Sequence, residues 1–126
     1  MTNLLRVFNI FFLGILLSCA CTALFPQVLL AGETGEVRCT APGCGYRTAL
    51  TIGGGRNSPA LTGYCVSQRR FVRVKLDSWE EYRTPHYCPR GKELMIPIYD
   101  GKDVKGLPCP RCGRRTLIFK RNILFD

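Results

Sequence analysis

The pattern of apolar and polar positions changes once along this chain. Between Arg6 and Glu33 lie 26 residues without a charge, led by Val7, Phe8, Ile10, Phe11, Phe12, Leu13, Ile15, Leu16 and Leu17 and trailing through Leu24, Phe25 and Val28 to Leu30. A core helix of a small soluble domain keeps a polar face, and this stretch has none. A helical span of a bilayer takes about 20 apolar residues. Residues 1–31 are therefore expected to be an N-terminal hydrophobic signal peptide or a transmembrane anchor, with the part that follows exported or membrane-anchored and extracytoplasmic.

Signal and anchor stay open as alternatives. Arg6 is a thin positive n-region, Pro26 breaks the helix, and Ala31 before Gly32 is a small-residue cleavage point, as is Ser18-Cys19-Ala20. Leu16-Leu17-Ser18-Cys19 also resembles a bacterial lipoprotein signal, in which Cys19 is lipidated.

After Glu33 the apolar pattern becomes short and strand-like. Tyr46 to Ile52 alternates and runs into Gly53-Gly54-Gly55, expected to be a flexible turn without the spacing of a phosphate-binding loop. Phe71 to Leu76 alternates cleanly, with Val72, Val74 and Leu76 on one face. Leu94 to Tyr99 is apolar, and Pro97 confines it to a sheet edge. Asp100-Gly101 signals a turn, and Thr116 to Phe119 a further strand. Ser78-Trp79-Glu80-Glu81 has capping-box form and predicts one short helical turn. No long amphipathic helix appears. Residues 32–126 read as a small β-rich domain, of the kind that needs a metal or disulfides to hold it.

The cysteines supply such staples. Of 8, Cys19 and Cys21 lie in the apolar leader, leaving Cys39, Cys44, Cys65, Cys88, Cys109 and Cys112. An even set in a short exported chain suits disulfides, with 15 connectivities for six cysteines. The local spacing points to a metal. In Cys109-Pro-Arg-Cys112-Gly113, two intervening residues let one tight turn aim both sulfurs at one point, and the glycine permits a positive φ. Cys39-Thr-Ala-Pro-Gly-Cys44-Gly45-Tyr46 has a gap of four, still within zinc-site spacing.

These two segments resemble the cysteine knuckles of zinc ribbons and rubredoxins. The resemblance covers about eight residues at each end of the domain and implies a zinc-ribbon-like fold with a tetrahedral metal site of Cys39, Cys44, Cys109 and Cys112. Zinc is the expected metal, with iron as the alternative.

A weak repeat runs between these ends. Cys44, Cys65, Cys88 and Cys109 are spaced by 21, 23 and 21 residues. Cys88-Pro-Arg-Gly91 reads like Cys109-Pro-Arg-Cys112 without its second thiol, and Cys65-Val-Ser-Gln68-Arg-Arg like the same knuckle with Gln68 in that place. A tandem pair of ribbons with two damaged knuckles is one reading. Cys65 and Cys88 are then left to each other as a disulfide, or joined by His86, the single histidine, as a second half-site.

Charge narrows the function classes only a little. Residues 32–126 hold 17 basic against 9 acidic residues, a net +8, with arginine dominant. Arg69, Arg70, Arg73 and Lys75, and Arg111, Arg114 and Arg115, are the candidate surface for an anionic partner, either a protein or a membrane; the alternative is a merely soluble surface. With one histidine and no paired-carboxylate cleft, no catalytic set can be assembled. The expectation is a structural binding or assembly module without activity of its own. Its rivals are a thiol–disulfide protein using Cys109 and Cys112, a rubredoxin-like electron carrier, and a nucleic-acid binder, the last disfavoured by the apolar leader.

Overall fold

The computed structural model describes residues 32–125. The strands are β1 (Gly32–Cys39), β2 (Arg47–Ile52), β3 (Ala60–Cys65), β4 (Arg70–Lys75), β5 (Ile96–Ile98) and β6 (Leu117–Phe125). They form two three-stranded antiparallel sheets, ordered β2-β1-β6 and β4-β3-β5. Two 3-10 turns, Trp79–Arg83 and Gly101–Val104, complete the regular structure. The leader and Cys19, with the signal-or-anchor reading, lie outside the described residues. Among the described residues no helix is long and apolar enough to cross a membrane.

The two sheets share one plan. In each, a central strand (β1 or β3) ends at a cysteine, turns, and pairs with the next strand (β2 or β4). A later strand, β6 or β5, returns to the free side of the centre. The second sheet lies within the chain segment between β2 and β6. The units are therefore nested, not tandem as the spacing of the cysteines suggested, because the last knuckle folds back to the first.

Strand β1 was not legible from alternation of apolar residues, since its inward positions are Glu33, Gly35 and Val37. Gly35 is required there because a side chain would strike the carbonyl of Lys120 and the ring of Phe119. The register against β6 shifts between Thr34 and Gly35, a bulge that leaves Asn122 unmatched. Glu33 is buried, only 5% exposed, yet fully used. Its carboxylate accepts the Gly101 N–H at 2.6 Å and an N–H from Arg121. That ties the second 3-10 turn to the first sheet.

Strand β3 escaped the sequence reading because all six of its residues are buried, so no polar face alternates with an apolar one. Leu61 and Cys65 face a core with Val72, Leu76, Tyr82, Cys88 and Met95. Gly63 lies under the Met95 side chain. Tyr64 instead enters the core of the first sheet, with Val37, Leu50, Ile52, Ile98, Val104, Leu107 and Leu117. The Thr62 hydroxyl donates to the Thr51 carbonyl at 2.5 Å, joining the sheets again.

Two local expectations need correction. Gly53 and Gly54 are buried rather than a flexible tip; Gly54 sits against the Ser58 carbonyl, and Ser58 N–H donates to Gly55 at 2.9 Å. Ser78 does precede a helical turn, but its side chain makes no cap. The Glu81 carboxylate takes the Asp77 N–H, one residue earlier than a capping box requires. The reciprocal box forms at Asp100 and Asp103 instead.

Glu33→Ala leaves the Gly101 N–H without its acceptor and is expected to lower stability by about 1–3 kcal/mol. Urea unfolding followed by Trp79 fluorescence measures this. An unchanged midpoint would show that the buried carboxylate contributes nothing.

Candidate metal centre

Cys39 is the last residue of β1, and Cys44 closes the turn into β2. Cys109 and Cys112 lie in the turn that leads to β6. Because β1 pairs with both β2 and β6 up to this end, Arg38 opposite Arg47 and Cys39 opposite Leu117, the two knuckles face each other across one sheet end. The second knuckle has the backbone expected of it. Cys109 N–H donates to the Arg114 carbonyl at 2.9 Å, and Gly113 N–H to the Cys109 carbonyl at 2.8 Å. Gly45 and Gly113, each just after a knuckle's second cysteine, have φ of 64° and 74°. These left-handed positions favour glycine, as the spacing implied.

All four sulfurs lie within 4.8 Å of one another and could hold a metal ion. Cys39 and Cys112 sulfurs are 3.7 Å apart, Cys44 and Cys109 sulfurs 3.6 Å. A tetrahedral ion with metal–sulfur bonds of about 2.3 Å sets sulfurs about 3.8 Å apart. A disulfide would bring them to about 2.05 Å, and these four thiols are free. Each short sulfur pair spans the two knuckles. That arrangement encloses a point between four ligands rather than presenting Cys109 and Cys112 as a redox couple at the start of a helix.

The surroundings support thiolates unevenly. The Thr116 hydroxyl, 3.2 Å from the Cys39 sulfur, is the main reason its pKa falls from 9.0 to about 6; burial works against it. Burial pushes the Cys44 thiol up to about 12. Arg111 N–H points at the Cys109 sulfur at 3.4 Å. Cys109 and Cys44 are buried, Cys39 is half-buried and Cys112 exposed. A cation among them favours the charged form of every ligand at once, which burial alone does not.

Tyr64 reaches this centre from the second sheet. Its hydroxyl donates to the Pro108 carbonyl at 2.6 Å, next to Cys109, and its ring packs edge-on against Phe71. Sequence reasoning missed Thr116 and Tyr64. Neither carries a spacing signal, since each meets the site only through sheet pairing or the contact between sheets.

The other expected residues are placed as follows. Cys65 and Cys88 form a disulfide. His86 is engaged elsewhere: its Nε2 lies 2.9 Å from the Glu81 carbonyl and 3.3 Å from the Thr84 hydroxyl. The acidic group beside Cys65 and Cys88 is Glu93. Arg111, Arg114 and Arg115 are exposed around the four-cysteine cluster, with Arg115 also donating to the Gly106 carbonyl at 2.6 Å. Arg69, Arg70, Arg73 and Lys75 lie on β4 and the turn before it, where Arg70 is partly covered and donates to Gln68.

Comparison of the chain with protein-family models, with curated proteins and with solved structures finds no match. The four-cysteine cluster therefore has to be read from its own geometry.

In metal-free protein at neutral pH, Cys39 is expected to alkylate well before Cys44. Its rate should rise through about pH 6, well below the range of a free thiol, while Cys44 stays protonated. Timed iodoacetamide labelling with peptide mapping gives the order. Faster labelling of Cys44 would contradict the hydrogen-bonded thiolate at Cys39.

Proposed function

We propose that this protein is an exported or membrane-anchored, zinc-ribbon-like binding module, held in shape by one zinc ion on Cys39, Cys44, Cys109 and Cys112 and without catalytic activity of its own. The observation that carries the reading is the meeting of four unbonded sulfurs from opposite ends of the domain, all within 4.8 Å, with two pairs across the knuckles at 3.6 and 3.7 Å. Four protein ligands close the coordination shell and leave no position for substrate, as in structural rather than catalytic zinc sites. The ion would supply folding free energy directly. Function then lies on the surface, where Arg111, Arg114 and Arg115 around the knuckle and Arg69, Arg73 and Lys75 on the second sheet offer an anionic protein or membrane headgroups a field of positive charge. The apolar leader would bring that surface to a membrane.

Native mass measurement of protein purified without reductant is expected to show one zinc per chain, and Cys109→Ser to lose it. Structural zinc contributes about 10–16 kcal/mol in small zinc-binding peptides. Even about 3 kcal/mol lost here would lower Tm by roughly 12–24 °C. Zinc-free protein that keeps its Tm would overturn the reading. A coloured, iron-loaded protein would move it to electron transfer.

A further inference from the structure

The second sheet carries the same knuckle architecture with different chemistry. Cys88 N–H donates to the Glu93 carbonyl at 2.9 Å, matching Cys109 to Arg114 in offset and length. Cys65 pairs with Arg70 at that same offset of five. Arg69 has φ of 47°. It follows Gln68 as Gly45 follows Cys44 and Gly113 follows Cys112, so the left-handed turn persists where its glycine does not. Such a φ is rare for a residue with a side chain. Lys92, after Gly91, does not share it.

The two positions that lack thiols meet in space. Gln68 and Gly91 each stand three residues after a cysteine, as Cys112 does after Cys109. The Gln68 Nε2 lies 3.7 Å from where a Cβ on Gly91 would be. That amide nitrogen is buried without a hydrogen-bond partner. Glu93 stands in the same space. Its carboxylate accepts the Ser67 N–H at 3.1 Å, two residues after Cys65, just as the Cys109 sulfur receives the N–H of Arg111. Its Oε1 is also 3.4 Å from the Cys88 sulfur. Ligand atoms of Cys65, Cys88 and Glu93 lie within 4.8 Å of one another.

We infer that reduction of the Cys65–Cys88 disulfide opens a second, thiol-gated zinc site, with Cys65, Cys88 and Glu93 as ligands and a fourth position open to water. Two thiolates and a carboxylate suit a borderline ion such as zinc, and three protein ligands plus an open place is a recurrent arrangement for it. The steps balance. A small dithiol reductant gives two electrons and two protons to the S–S bond, which breaks into two thiols while the reductant becomes its own disulfide. Zinc binding then releases the two thiol protons to water. Oxidised and zinc-loaded forms exclude each other, so zinc must ease reduction by mass action. The inference stands on the second sheet and does not depend on the metal at Cys39, Cys44, Cys109 and Cys112.

The test uses the full chain and Zn²⁺ itself. Native mass is expected to show one more zinc per chain with a phosphine reductant than without it. With zinc at 100 times its dissociation constant, the dithiol-to-disulfide ratio needed for half-reduction should fall about a hundredfold. Glu93→Gln, which can still accept from Ser67, should lose only the reductant-dependent zinc. The double variant Q68C/G91C should hold that zinc against a chelator that strips the wild type; a Cβ on Gly91 meets nothing closer than the Gln68 amide at 3.7 Å, which the variant removes. The inference is overturned if Cys65 and Cys88 titrate as free thiols in protein that has met no reductant. It is also overturned if E93Q binds as the wild type does, or if Q68C/G91C gains no retention. Absence of zinc before reduction, with one ion after it that the wild type holds and E93Q does not, would defeat the reading of the four-cysteine cluster and leave this one standing.

Discussion

The contact between two cysteine knuckles 65 to 73 residues apart in the chain is the one on which the rest of the molecule depends. It closes a loop that contains the whole second sheet. Closing a loop of that length costs chain entropy that grows only slowly with length, so one strong cross-link suffices. Burial pushes the Cys44 thiol up, while the Thr116 hydroxyl lowers that of Cys39. The proposed ion, taking all four sulfurs, would convert these mismatched thiols into a closed cross-link.

The second sheet is fastened in a different way. Its cysteines bond to each other, closing a loop of 23 residues that contributes about 3 kcal/mol by constraining the unfolded chain. Strand β3 then lies between two cores, so the disulfide and the four-cysteine centre are mechanically connected. Tyr64 is the connection: it leaves the disulfide-bearing strand, fills the first core and hydrogen-bonds the carbonyl before Cys109. A small domain with two thin sheets gains its stability from this sharing, since neither core is large alone.

What could be read in advance followed from local chemistry. Cysteine spacing and the glycines behind Cys44 and Cys112 marked the knuckles, because the left-handed residue that follows such a turn favours glycine. The edge position of β5 followed from Pro97, which sits opposite Gly63 in the outer strand. What could not be read depended on the other sheet. Strand β3 has no alternation because both its faces are covered. Glu33 looks like a surface residue until Gly101 and Arg121 are brought to it. His86 stands two residues before Cys88 and was only the alternative to a disulfide there; its ring lies against the Glu81 carbonyl, and Glu93, five residues beyond Cys88, is the acid that the knuckle turn brings to the sulfur. The capping-box pattern at Ser78 marked the helical turn but not its hydrogen bonds, since Glu81 reaches the Asp77 N–H instead.

X-ray absorption at the zinc edge, on protein purified without reductant so that Cys65 and Cys88 stay bonded, should show four sulfur neighbours at about 2.3 Å and no nitrogen or oxygen in the shell. A shell with light-atom ligands, or a protein without metal in which Cys39, Cys44, Cys109 and Cys112 are paired as disulfides, would contradict the four-sulfur site.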